Sequence, residues 1–248
     1  MMILLDGHAH WHNNVDLERF LEAAQVHFRQ SNFNIPVGEL QAVLCLADFS
    51  GAEGFSRLCR SAPTTPSKHW TITKSSEPTS ICVQHKKGDT FWIVAGRQLV
   101  SAENIELVAI GTQANLGEGM GLLDAIQSIH KAGAQPVIPW GAGKWWGSRG
   151  KLIKAVVQSS TDILLGDSGG RPRCWQPKLL RTAKKYSVQI ISGSDPLPVE
   201  TDQHRNGTYG LVIQGSIDQD NPWAWVKNQL QNITQTTHFF GGPLSLGA

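Results

Sequence analysis

The chain has 248 residues, a formal net charge of +2 and a pI of about 8.4, with 40% hydrophobic and 17% charged residues. That length fits one large domain or two small ones, and the apolar share is enough for a solid core. The near-neutral balance, with no run of basic residues interleaved with aromatics, argues against a nucleic-acid groove, and no apolar stretch approaches the about 20 residues of a membrane span.

MMILL at residues 1–5 reads as a short buried strand that ends in Asp6-Gly7-His8-Ala9-His10. No basic segment precedes it, so it does not read as a secretion signal and a cytoplasmic protein is expected. Cys45, Cys59, Cys82 and Cys174 form no CxxC pair and read as reduced thiols. Leu17, Phe20, Leu21, Ala24 and Phe28 recur at helical spacing after Asp16, which suits an N-cap. LQAVLCLADF reads as a second buried strand, followed by a short helix over 52–59. Residues 61–80 carry Pro63, Pro66 and Pro78 and read as a loop. A hairpin with Lys87-Gly88-Asp89 at its turn is expected next, so that a loop-and-hairpin insertion occupies about 61–100 of a single domain spanning 1–248.

NIELVAIGT is a further strand. From Gly121 onward helices and strands alternate: helix 121–133, strand 135–140, helix 149–160, strand 162–167, helix 176–187, strand 188–195 and helix 221–232. Residues 238–248 read as a loose tail. Such alternation signals parallel strands joined by right-handed crossovers, and the expectation is an α/β fold of TIM-like, distorted β/α barrel type with about seven or eight strands.

In such folds the chemistry stands at the C-terminal ends of strands. Residues two apart on a strand share a face, so His8 and His10 can converge on one ion, and Asp195 from a distant strand can complete the set. Imidazole with carboxylate suits Zn, Mn or Fe, and such an ion brings a bound water close to ionisation at neutral pH. His12 joins only if the strand continues past His10. Asp167 is a further catalytic candidate and a substitute ligand. The loops GAGKWWGSRGK and SGGRPR place glycines beside Lys144, Arg149, Arg171 and Arg173, and Lys144 and Arg171 are the candidates for holding an anion. The first loop lacks Walker spacing. Ser168 has no GxSxG elbow and no assignable base, so it is not read as a nucleophile. Six of the nine tryptophans lie between Trp140 and Trp225; they read as buried aromatics or as a stacking wall.

Three of these segments, Asp6-Gly-His8-Ala-His10, IHKAGAQPVIPWG and Gly193-Ser194-Asp195, resemble in order the motifs of the polymerase-and-histidinol-phosphatase (PHP) domain family. The resemblance implies a distorted barrel and metal-dependent phosphoester hydrolysis. The ligand set it implies is reduced here. Gln98 stands where the family has a glutamate, Trp140 where a histidine is expected, and Leu197 where a histidine follows GSD. What remains is His8, His10 and Asp195, enough for one divalent ion (Zn, Mn or Fe) or for none. Two functions follow. One is a single-metal hydrolase, phosphoesterase-like, acting on a small anionic molecule with no nucleic acid and no membrane involved. The other is an inactive descendant that binds a ligand or protein in the old cleft.

Overall fold

The computed structural model describes residues 1–61, 68–159, 162–233 and 238–243. In chain order they form β1 (Met2–Ala9), α1 (Leu17–Arg29), β2 (Gln41–Leu46), α2 (Gly54–Ser61), β3 (Trp70–Lys74), β4 (Ser80–His85), β5 (Thr90–Val94), β6 (Gly96–Val100) and β7 (Glu106–Ile110). There follow α3 (Leu122–Lys131), β8 (Gln135–Pro139), α4 (Gly147–Gln158), β9 (Leu164–Ser168), α5 (Lys178–Lys185), β10 (Ile190–Gly193), β11 (Tyr209–Gln214), α6 (Pro222–Gln231) and β12 (His238–Gly241). Part of the expected proline-rich loop, residues 62–67, lies outside the described residues.

The helix expected after Asp16 forms for the expected reasons. The Asp16 carboxylate accepts the Arg19 amide at 2.9 Å, and Phe20, Leu21, Ala24 and Phe28 are buried along one stripe. In β1, Leu4 faces the α1 side of its sheet while Ile3 and Leu5 face the opposite side. Both faces are covered, which is why MMILL reads as an unbroken apolar run. β7 repeats the device, with Leu107 and Ala109 outward and Val108 and Ile110 inward.

The strands do not close into the expected barrel. They form a seven-stranded sheet in the order β12-β11-β1-β2-β5-β4-β3 and a five-stranded sheet in the order β10-β9-β8-β7-β6. Parallel pairing is confined to β1-β2-β5 and to β8-β9-β10; the remaining pairs are antiparallel. Two antiparallel systems, β3-β4-β5 and β6-β7-β8, therefore interrupt the β/α rhythm from which a barrel was inferred. Three layers of apolar packing result. α1 and α2 cover one sheet, and α3, α4 and α5 cover the other. The third core lies between the sheets, with Trp223, Val226 and Leu230 of α6 packed into it.

The sheets are tied at two seams. At the first, only Ala95 separates β5 from β6 as the chain passes between sheets, and Asp48 bridges to Arg97. Gly96 is required there, because a Cβ would lie 2.1 Å from the Leu46 carbonyl oxygen. At the second, the Asp195 amide donates to the His8 carbonyl at 2.8 Å. No described helix is long and apolar enough to cross a membrane.

Candidate metal centre

The second seam builds the site. The Asp6 carboxylate is fully buried and accepts four hydrogen bonds, from the His8 amide (3.1 Å), the Ser194 amide (2.9 Å), the Ser194 hydroxyl (2.5 Å) and the Gly207 amide (2.8 Å). It binds the end of β1 to the segments after β10 and before β11. Burial pushes this carboxyl up to about 6, against the pull of those four donors. Asn206 adds a second clamp, accepting the His10 amide at 3.0 Å and donating to the His10 carbonyl at 2.9 Å.

So held, His8 and His10 turn toward Asp195. Their Nε2 atoms lie 3.6 and 3.4 Å from the same Asp195 oxygen, Oδ1, and the three ligand atoms lie within 4.8 Å of one another. The other oxygen, Oδ2, accepts the Ser168 hydroxyl at 2.9 Å, which fixes the carboxylate plane. Asp195 takes a left-handed backbone with φ 48°, a conformation that costs a non-glycine residue free energy and that the Asp195–His8 backbone bond holds in place. Beneath His8 the inter-sheet core is closed, with a cavity of about 10 Å³, too small to hold more than one water. Access is from the Asp195 side, whose side chain is 22% exposed.

The electrostatics suit ligation. Burial lowers the His8 pKa, which favours the neutral, lone-pair-bearing ring. Burial alone raises the Asp195 carboxyl, but His8, His10 and the Ser168 hydroxyl reverse this and bring it to about 2, so it is ionised. Among the described residues His8 Nε2 is a buried atom without a hydrogen-bond partner, and so is Oε1 of Gln98, whose side chain lies beside His8. A tetrahedral ion with ligands at about 2.1 Å sets ligand–ligand separations of about 3.4 Å, close to the two distances found here. The donor set and its unsatisfied atoms therefore fit a divalent ion.

The remaining candidates are placed as follows. β1 ends at Ala9, so His12 leaves the strand; its Nε2 sits 2.9 Å from the Pro196 carbonyl, and its ring stacks on His10 at 5.6 Å. Asp167 and Arg171 form a buried pair at 2.6 and 2.8 Å, with Tyr209 donating to Asp167 at 2.9 Å. The third guanidinium nitrogen goes to the Pro172 and Trp175 carbonyls. Lys144 donates to Glu106, and Arg149 donates to the Gly143 carbonyl at 3.0 Å. Trp140 is buried, whereas Leu197 is 59% exposed.

Two carboxylates at this end of the sheets were not anticipated. Glu106 opens β7 on the same face as Val108 and acts electrostatically on His8. Asp48, just past β2, is buried with its carboxyl raised by that burial, a rise that the Phe55 amide it accepts at 3.0 Å, Arg97 and His10 oppose. β7 runs antiparallel to β8, so its first residue, not its last, lies at the site.

Asn206 also links the site to α1, because its carbonyl sits 2.9 Å from His27 Nδ1. Burial lowers the His27 pKa below its ordinary 6.5 despite that carbonyl, with Arg205 and His204 adding to the shift. The folded state thus resists a proton that the unfolded chain accepts. This contribution to stability is complete above 6.5 and is lost as pH falls through the lowered value. The melting temperature is therefore expected to drop between about pH 7 and 5 by less in His27→Gln than in the parent, as calorimetry on both will test. Equal drops would remove His27 from the account.

The fold and site define a two-sheet α/β protein with a His–His–Asp cluster at the seam between its sheets. No family model and no curated protein matches the chain. Among solved structures it is similar to PsfC from Pseudomonas syringae PB-5123, with a TM-score of 0.60 and 13% identity over 97% of this chain and 91% of that one. It is also similar to the lesion-specific endonuclease PfuEndoQ from Pyrococcus furiosus, with a TM-score of 0.57 and 11% identity over 96% of this chain and 58% of that one. Endonuclease Q in complex with a 27-mer duplex substrate carrying an abasic lesion gives a TM-score of 0.54 at 12% identity, over 95% and 58%. The chain spans somewhat over half the length of the endonuclease Q chains. At these identities the likeness is one of fold. The expectation that nucleic acid has no part here does not stand, since the fold is shared with a protein solved on duplex DNA.

Proposed function

We propose that this protein is a metal-dependent phosphoester hydrolase of PHP-like type, with one divalent ion held by His8, His10 and Asp195. The observation that carries this reading is the convergence of two histidine Nε2 atoms on one Asp195 oxygen, at 3.6 and 3.4 Å. The motif resemblance and the shared fold of a lesion-specific endonuclease support the same reaction class. The imidazole and carboxylate donors suit Zn, Mn or Fe. When bound, such an ion supplies an acidified water and polarises a phosphoryl oxygen. The chain's own residues do the rest. Ser168 keeps Asp195 aimed at the histidines, and burial favours the neutral form of His8. Glu106 supplies beside His8 the negative charge that Gln98 lacks. Lys144, held on Glu106, is the cation offered to the substrate phosphate. Arg171 and Asp167, closed on each other, brace the loop after β9.

Metal analysis of the purified protein tests this. About one ion per chain is expected, lost in both His8→Ala and Asp195→Ala, together with chelator-sensitive hydrolysis of a generic phosphate ester. Metal-free protein whose melting temperature ignores both substitutions would sink the reading. It would leave a binding module, the alternative that Trp140 and Leu197 favour.

A further inference from the structure

The segment from Trp140 to Ser194 holds ten Lys or Arg and two Asp or Glu, in a chain whose totals are 22 and 20. The positive charge of this near-neutral protein is therefore concentrated in less than a quarter of its length. One of the two acids, Asp167, is buried and bound to Arg171. In space the segment supplies β9 and β10 of the smaller sheet and two of the helices that cover it, α4 and α5, packed side by side. Lys151 and Lys154 on α4, Arg173 before α5, and Lys178, Arg181 and Lys185 on α5 are all exposed. Among the described residues, none of the six has a carboxylate within ion-pair distance; in this segment only Lys144 and Arg171 do.

An aromatic ledge stands at the end of this layer. Trp146, 60% exposed, leans on Trp175 with ring centres 5.7 Å apart, and Trp175 meets buried Trp140 edge-on at 5.8 Å. Trp140 follows β8 and Trp175 lies between β9 and α5. β8, β9 and β10 are parallel, so the ledge lies at the strand ends where Ser168 and Asp195 stand. A rigidly backed, exposed indole on a layer whose exposed cations have no carboxylate partner among the described residues, Lys185 lying over the Tyr186 ring at 5.8 Å, is the combination that holds a polyanion with planar rings: phosphates on the charges, a base on the ring. A membrane surface fits less well, because Trp146 and Tyr186 are the only large apolar residues exposed among the described residues of this segment, and neither is aliphatic.

We propose that the α4–α5 face and the Trp146–Trp175 ledge bind a single strand of nucleic acid, with its backbone on the six exposed cations and a base stacked on Trp146. This goes beyond the hydrolase reading and is tested apart from it. Fluorescence anisotropy would follow a labelled, mixed-sequence DNA strand of roughly 20 nucleotides at low salt. EDTA would be present throughout, so that neither an ion nor hydrolysis enters. The parent should bind, with its tryptophan emission quenched. Trp146→Ala should weaken binding about tenfold. The triple variant Arg173→Glu/Lys178→Glu/Arg181→Glu should weaken it by at least about tenfold and reduce the salt slope by about 2. Circular dichroism checks folding, and Arg173→Gln/Arg181→Gln is the milder companion if the triple variant is misfolded. No binding by the parent overturns the proposal. Binding that survives both charge variants overturns it too. Loss in the charge variants with full binding in Trp146→Ala also overturns it, leaving a surface for any polyanion, an acidic protein or an anionic vesicle included. Because no metal is present, each outcome leaves the hydrolase reading where metal analysis puts it.

Discussion

Asp6→Asn is expected to destabilise the protein by about 3 kcal/mol, roughly 6–12 °C in melting temperature for a chain of this size. Three of the carboxylate's four partners are backbone amides, from His8, Ser194 and Gly207, and none can reverse its polarity. An asparagine keeps one acceptor and puts an NH₂ where the other oxygen was. If the NH₂ faces Gly207, the Ser194 hydroxyl can turn and accept it, but the Gly207 N–H is orphaned. If it faces the other way, two N–H groups are orphaned. A buried donor without a partner costs about 1–3 kcal/mol, and the lost charge-assisted bonds add to that. Asp6→Ala, which strands all four donors, should cost more. Thermal melts of the three proteins check the order parent, Asn, Ala; an asparagine variant as stable as the parent would mean that Asp6 does not hold the seam.

Asp6 also shows what a sequence can and cannot reveal here. Asp6, His8 and His10 lie within five residues at the end of one strand and just past it, so their shared neighbourhood is local and legible. Asp195 is legible because its strand ends in GSD where a parallel fold gathers its chemistry. Glu106 and Asp48 were missed for a definite reason. ELVAI alternates inward and outward identically whichever way the strand runs, so nothing in the letters says that β7 is antiparallel and brings its first residue to the site. The barrel expectation failed the same way: most helices and strands were readable from periodicity, but pairing partners are set by tertiary contacts. β12, read as part of a tail, forms because Phe240 packs into the α1 core beside Phe28. The basic face was invisible because its cations are spread over two helices and a loop, and they become neighbours only when α4 meets α5.

The seam makes its sharpest demand at Gly193. A Cβ there would lie 2.3 Å from the His8 amide nitrogen and 2.6 Å from the His8 Cβ, far inside van der Waals contact. The obstructing atoms are mostly backbone, so no side chain can swing aside, and β10 and β1 must separate for Gly193→Ala to fold. Overpacking of this kind costs about 1–3 kcal/mol, and more when the main chain itself must move. The same displacement parts His8 from Asp195, which hang on opposite sides of the seam. Gly193→Ala is therefore expected to lower the melting temperature and to weaken metal affinity at least about tenfold, although it touches no ligand atom. Gly170→Ala is the matched control. Its added methyl would meet only the Ser168 hydroxyl, at an ordinary 3.5 Å, and the change should stay within about 0.5 kcal/mol with affinity intact. Calorimetric melting and metal titration on both variants separate the two. If Gly193→Ala binds metal as the parent does, then the close approach of β1 and β10 is not what brings the histidines and Asp195 together.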